Sequence, residues 1–159
     1  MTFKSKRTIT SMVASIALII AYIIYARSTH APAPEDTVLW AQAIFVFIGA
    51  SVIVNIVIQV LFHIAYSVSI AIKERTQDDS EVERIIASET AEDELDKIIN
   101  LKASQVGYIF AGFGFIVALA WLAFFGASIV ATLHIILGAF FVGNFVEGGM
   151  SIRFYERGV

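Results

Sequence analysis

Polar and ionisable side chains set in apolar surroundings are the residues of this sequence best placed to do chemistry, because hydrocarbon penalises each one that lacks a partner or a role. Ser51, Asn55, Gln59, His63 and Ser67 follow one another at four-residue spacing inside an otherwise apolar run. Four residues advance about 40° beyond a full helical turn, so on a helix they form a slowly winding stripe. A later apolar run carries Asn144 and Glu147. Counted from the outer ends of the two runs, Asn55 lies seventeen residues beyond Val38 and Asn144 sixteen beyond Ser128. Each therefore sits at a depth of about 25 Å at helical rise, with Gln59 and Glu147 within about one turn of each other. The spacing predicts a polar layer of Asn55, Gln59, His63, Asn144 and Glu147. Glu147 and His63 are its ionisable members and the candidates for proton or ion handling. The plainer reading places both at the headgroup boundary and leaves Asn55 and Gln59 to hydrogen-bond neighbouring helices.

Other chemistries find no support. The chain has no cysteine, which removes disulfides, thiolate nucleophiles and thiolate metal sites. His134 and His63 differ in depth by roughly 28 Å, too far to share a metal within one subunit. His30 lies in the outer connection, where it can approach His134, but two histidines make a weak site. There is no phosphate-cradling glycine loop, nucleophile elbow or His-Glu-x-x-His pair. No catalytic residue, metal or cofactor is expected, and the chain reads as a non-enzyme.

The elements that must position the polar groups are membrane helices. Of 159 residues, 58% are hydrophobic and 16% charged, with no room for a large soluble domain. The fold class expected is all-α and polytopic, four transmembrane helices forming two antiparallel hairpins. The spans fall at about 8–25, 38–64, 103–125 and 128–150, within a single membrane domain. The second run, Val38 to Ile72, has thirty-five residues without Asp, Glu, Lys or Arg. A continuous helix of that length reaches roughly 52 Å, against a hydrocarbon core of about 30 Å. Its last turns, around Ile64 to Ile72, are therefore expected to leave the membrane and bury their apolar residues against another helix.

Residues 73–102 form an acidic amphipathic connection. Within it, Lys73 to Lys97 holds ten acids and four bases, net −6, while the rest of the chain carries +3. Val82, Ile85 and Ile86, then Leu95, Ile98 and Ile99, recur at helical spacing. Two short helices are expected, bent near residues 87–90, with a helix from about Ala91 running unbroken into the third span. Val82, Ile85, Ile86, Glu92, Asp93 and Glu94 make a candidate partner surface. Its sign argues against direct nucleic-acid binding. Ten of the eleven Lys and Arg residues fall on the side of the two termini, with Arg27 opposite. The positive-inside rule then puts the termini and the acidic segment in the cytoplasm, and the chain in the inner, cytoplasmic membrane.

Apolar side chains gain little by leaving lipid for one another, so close helix packing needs small residues or hydrogen bonds. Ala103, Gly107 and Ala111 follow at four-residue spacing, with Gly114 and Ala118 near the same face, and Gly138, Ala139 and Gly143 mark the fourth span. Packing within one bundle is the expected use; a dimer interface is the sharper alternative.

The run Glu92-Asp-Glu-Leu-Asp-Lys-Ile-Ile-Asn-Leu-Lys-Ala-Ser-Gln-Val-Gly-Tyr108 and the tail Phe154-Tyr-Glu-Arg-Gly158 resemble a group of small uncharacterised prokaryotic four-span membrane proteins. In that group an Asp-Glu-rich stretch leads into the third span and an aromatic, Arg-Gly tail follows the fourth. Its members often accompany small helix-turn-helix regulators, so the resemblance implies a membrane-embedded regulatory partner.

The leading expectation is a non-enzymatic accessory, regulatory or scaffold protein of the lipid bilayer. It presents the acidic surface to another cytoplasmic protein or to a second copy of itself, as a homo-oligomer. The alternative is a small oligomeric transporter or channel built on the polar layer.

Overall fold

A computed structural model describes residues 3–74 and 94–157. These residues form four helices and no strand: α1 (Phe3–Ala26), α2 (Thr37–Glu74), α3 (Glu94–Phe125) and α4 (Ile129–Arg157). Each is long and apolar enough to cross a membrane, with mean hydropathy of 2.1 to 2.6 over its most apolar window. The protein is therefore a multi-pass helical membrane protein in its architecture. Bulky apolar side chains point outward along the bundle, Phe45, Ile53, Phe113 and Phe124 among them. In water such a surface would aggregate; in lipid it is the expected solvent contact.

The helix ends follow from local chemistry. The backbone carbonyl of Asp36 accepts the N–H of Trp40 at 3.0 Å to open α2. The Trp40 indole N–H donates to Ala33 O at 3.0 Å, which pins the proline-containing connection onto the first turn. Between α3 and α4 the chain reverses through Gly126, whose φ of +62° favours a residue without a Cβ. Ser128 then caps α4: its Oγ accepts the N–H of Ala131 at 3.1 Å and its carbonyl the N–H of Thr132 at 3.1 Å.

Packing centres on α4, which touches α1, α2 and, most extensively, α3. The α3–α4 seam uses the small residues. A Cβ added at Gly107 would stand 2.9 Å from Glu147 Cβ and 3.0 Å from Gly143 O, one at Gly143 would stand 2.8 Å from Gly107 O, and one at Gly114 would overlap Ala139. Ala103, Ala111 and Ala118 are buried along the same line, Ala118 completely. The backbones thus meet because nothing larger intervenes, and dispersion over a long contact holds them. Gly138 departs from the expected seam, since a Cβ there would meet nothing within 4 Å. The α1–α4 contact uses Gly148, where Met12 of α1 occupies the space a side chain would fill.

As a continuous helix of 38 residues, α2 is about 57 Å long. Of its last apolar residues Ile70 is buried, while Ile64, Val68 and Ile72 are exposed among the described residues. Burial of that end is therefore narrower than the sequence suggests. α3 is unbroken from Glu94 through the third span. The candidate surface residues Val82, Ile85, Ile86, Glu92 and Asp93, and the expected bend, lie outside the described residues. Glu94 is exposed and bonded to Lys97 at 2.8 Å, an i,i+3 surface pair of small energetic weight.

At the end of the bundle where α1 stops and α2 begins, an aromatic cluster fills the core. Tyr22 meets Phe47 edge-on at 4.9 Å between ring centres, and Trp40 meets His134 at 4.7 Å. His134 Nδ1 lies 2.7 Å from Val130 O. His134 is thus an aromatic packing partner that bonds its own helix, and the described residues contain no group of three or more His, Asp or Glu able to hold a metal.

Candidate polar cavity

At the opposite end, where α1 starts and α4 finishes, the helices part around a cavity of about 540 Å³. Its walls come from all four helices. α1 supplies Lys4, Arg7, Thr8, Ser11 and Ser15; α2 supplies Asn55 and Gln59; α3 supplies Asp96 and Asn100; α4 supplies Asn144, Glu147, Ser151 and Tyr155. Such a concentration of hydrogen-bonding groups in a chain of this hydropathy needs water, a ligand or mutual pairing to offset desolvation.

Part of the pairing is internal. Arg7 Nε and Nη2 donate to Gln59 Oε1 at 3.0 and 2.6 Å. One turn further in, Ser11 Oγ donates to Asn55 Oδ1 at 2.7 Å, while Asn55 Nδ2 donates to Ser51 O of its own helix at 3.0 Å. These two rungs tie α1 to α2. Ser104 Oγ donates to Glu147 Oε1 at 2.5 Å and ties α3 to α4 beside the glycine seam. Lys4 forms an ion pair with Asp96 and so ties α1 to α3. Asp96 is only 5% exposed, and the aliphatic stem of Lys4 reaches inward to meet it.

Four of the five residues in the expected polar layer line this cavity: Asn55, Gln59, Asn144 and Glu147. His63, one turn beyond Gln59, is not among its lining residues; its carbonyl accepts the Ser67 hydroxyl at 2.9 Å. Asn55, Gln59 and Asn144 also line a second cavity of about 520 Å³, a cleft between α2 and α4 flanked by Ser51, Val52, Ile56 and Val60. The amides thus stand between the polar cavity and the cleft along α2.

What sequence reasoning missed was the share contributed by α1 and by the start of α3. The signal was present. Lys4, Thr8, Ser11 and Ser15 recur at three- and four-residue steps, and Asp96, Asn100 and Ser104 at four. Each set marks one helical face. Reading Lys4 and Arg7 only as topology signals, and Asp96 only as part of a solvated acidic run, hid their second use.

Chemically the arrangement offers one ion pair already made, one guanidinium held by a neutral amide, one carboxylate held by a hydroxyl, and several amides and hydroxyls. The histidine and thiolate ligands of a transition-metal site are absent from the wall, so a hydrogen-bonding solute or water suits it better than such an ion. No protein-family model, curated protein or solved structure matches the chain.

Proposed function

We propose that the chain is a small multi-pass protein of the cytoplasmic membrane that takes a polar solute into this cavity and, as an oligomer, serves as a transporter or channel subunit. The observation that carries the reading is the cavity of about 540 Å³ with Lys4, Arg7, Asp96 and Glu147 in its wall. Its size lies within the range of about 300–1,000 Å³ typical of small-molecule sites. Intramembrane ionisable groups facing a cavity are the usual mark of a solute or proton route. A single four-span unit is too small to enclose a long pathway, which is the reason for invoking an oligomer.

In this reading the helices form two antiparallel hairpins, the termini and acidic segment face the cytoplasm, and the end of α2 projects there. The cavity then opens at the cytoplasmic leaflet. Because the chain has no cysteine, topology has a clean test. An impermeant thiol reagent applied to intact cells should label Thr29→Cys and spare Ser80→Cys; the reverse pattern would invert the cavity's orientation.

Function is tested in vesicles containing the purified protein under an imposed pH gradient, challenged with labelled glycine, ethanolamine phosphate and inorganic phosphate. Uptake of at least one above empty vesicles is expected, falling to the empty-vesicle level in Glu147→Gln. Uptake of none would overturn the transport reading.

The accessory or regulatory reading is the second. The Lys4–Asp96 pair favours it, because it anchors the root of the acidic segment to the bundle beside the cavity. A surface presented from a fixed root loses less conformational entropy on binding than a free tail does. Under this reading, extraction from the native membrane in mild detergent should bring a protein partner with the chain, and recovery of the bare chain under every growth condition would remove it.

A further inference from the structure

Two opposite charges in the cavity wall have no ionic partner among the described residues. Arg7 stands exposed at the mouth with two of its nitrogens on the neutral oxygen of Gln59. Glu147 is half-buried and takes its one hydrogen bond at Oε1 from Ser104, which leaves Oε2 for another donor. Lys4 and Asp96 already pair with each other and so cancel. Arg7 and Glu147 are instead held apart, each by a neutral group on the neighbouring helix. A ligand bearing only an anion would satisfy Arg7 and leave Glu147 in the same cavity wall uncompensated; a simple cation would do the reverse.

The second cavity adds an independent observation. Asn55, Gln59 and Asn144 are shared between the polar chamber and the α2–α4 cleft, whose remaining wall includes Val52, Ile56 and Val60. α2 and α4 pack far less closely than α3 and α4 do. Polar groups therefore lead sideways from the chamber into an apolar slot facing the hydrocarbon, a shape that fits a molecule with a polar head and an apolar tail.

We propose that the cavity seats the zwitterionic headgroup of an amphiphile, with its anionic oxygens on Arg7, its ammonium on Glu147, and its chains leaving between α2 and α4. The guanidinium fork suits a phosphate or carboxylate oxygen pair, and a carboxylate with one open oxygen suits an N–H⁺ donor. This assignment rests on the cavity being a solute site, and it narrows the class of solute.

The test is equilibrium binding to the full chain in a non-ionic glycoside detergent. Four probes are compared: a short-chain phosphatidylethanolamine, the matching phosphatidylglycerol, ethanolamine phosphate and inorganic phosphate. The zwitterionic lipid should bind at least about tenfold more tightly than each of the other three, and Arg7→Gln and Glu147→Gln should each weaken it about tenfold, the scale of one charge-assisted hydrogen bond. Arg7→Lys and Glu147→Asp should recover part of that loss at unchanged melting midpoint. Equal affinity for the phosphatidylglycerol would overturn the role of Glu147. Ethanolamine phosphate binding as tightly as the lipid would overturn the amphiphile and leave a water-soluble zwitterion. Selective lipid binding without vesicle uptake of any solute would uphold the site and remove the transport reading, whereas uptake without lipid selectivity would do the opposite.

Discussion

Gly143→Val should cost roughly 3 kcal/mol of stability, at or above the upper end of ordinary overpacking, and should separate α3 from α4. The atom that a Cβ at Gly143 would strike is the backbone oxygen of Gly107, at 2.8 Å, with Ala111 Cβ at 3.2 Å beyond it. A flexible side chain could swing aside, but a carbonyl in the middle of a helix moves only if the helix moves. Separation would also lengthen the Ser104–Glu147 hydrogen bond one turn away and release the carboxylate into the cavity. Gly112 lies on the same pair of helices and meets nothing within 4 Å. Gly112→Ala should therefore not destabilise the bundle and should gain up to about 1 kcal/mol from the helical preference for alanine. Unfolding of both variants by graded addition of a denaturing detergent checks the contrast. Equal midpoints for Gly143→Val and the unaltered chain would show that the seam is not close-packed.

Lys4→Met should destabilise the bundle by about 3 kcal/mol, because it leaves the carboxylate of Asp96 buried without its cation. Asp96→Ala should cost less. Lys4 is the more exposed partner, with 23% of its side-chain surface open, and its ammonium can turn to water. Both residues also make further interactions. Single substitutions therefore overstate the pair, and a double-mutant cycle isolates it. The cycle should return a coupling energy above about 1 kcal/mol, larger than for an exposed pair such as Lys97–Glu94. A coupling near zero would mean that Lys4 and Asp96 are held by their other neighbours and that α1 is not tied to α3 through this contact.

Taken together, the two contacts show how a chain with little polar material assembles its cavity. The α3–α4 seam brings backbones close through glycine and alanine, and that closeness places Glu147 against Ser104. α1 packs against α2 and α4 and adds three side-chain rungs across the open side: Lys4 to Asp96, Arg7 to Gln59, and Ser11 to Asn55. Two of the rungs, Lys4 to Asp96 and Arg7 to Gln59, start from long side chains that span the opening. Helices joined by small residues leave no such room.

Much of this was legible in advance. The four apolar helices of the described residues follow from uninterrupted apolar runs and from punctuation at residues 32–36 and 126–128, since span length is dictated by bilayer thickness and breaks by glycine, proline and capping groups. The small-residue face of α3 was equally legible, because four-residue spacing of alanine and glycine has one geometric consequence. Asn55, Gln59, Asn144 and Glu147 could be placed at similar depths because helical rise is constant.

Depth along an axis carries no information about rotation around it or about which neighbour stands opposite. His63 shares the four-residue step of Asn55 and Gln59, yet a stripe that winds by about 40° at each step has turned from the cavity by the time it reaches His63. Gly138 shares its composition with Gly143 and misses the seam for the same reason. Lys4, Arg7 and Asp96 carry charge, which by pattern alone reads as exposure to water. Burial of Asp96 and the pairing of Arg7 with an amide arise only when α1 lies against α2 and α4 and reaches α3 through Lys4. The sequence by itself determined that the described residues hold four long apolar helices, because that depends on each chain segment and its solvent. Only the tertiary structure decided which polar faces meet around the cavity, because helix rotation and neighbour choice depend on contacts between segments distant in sequence.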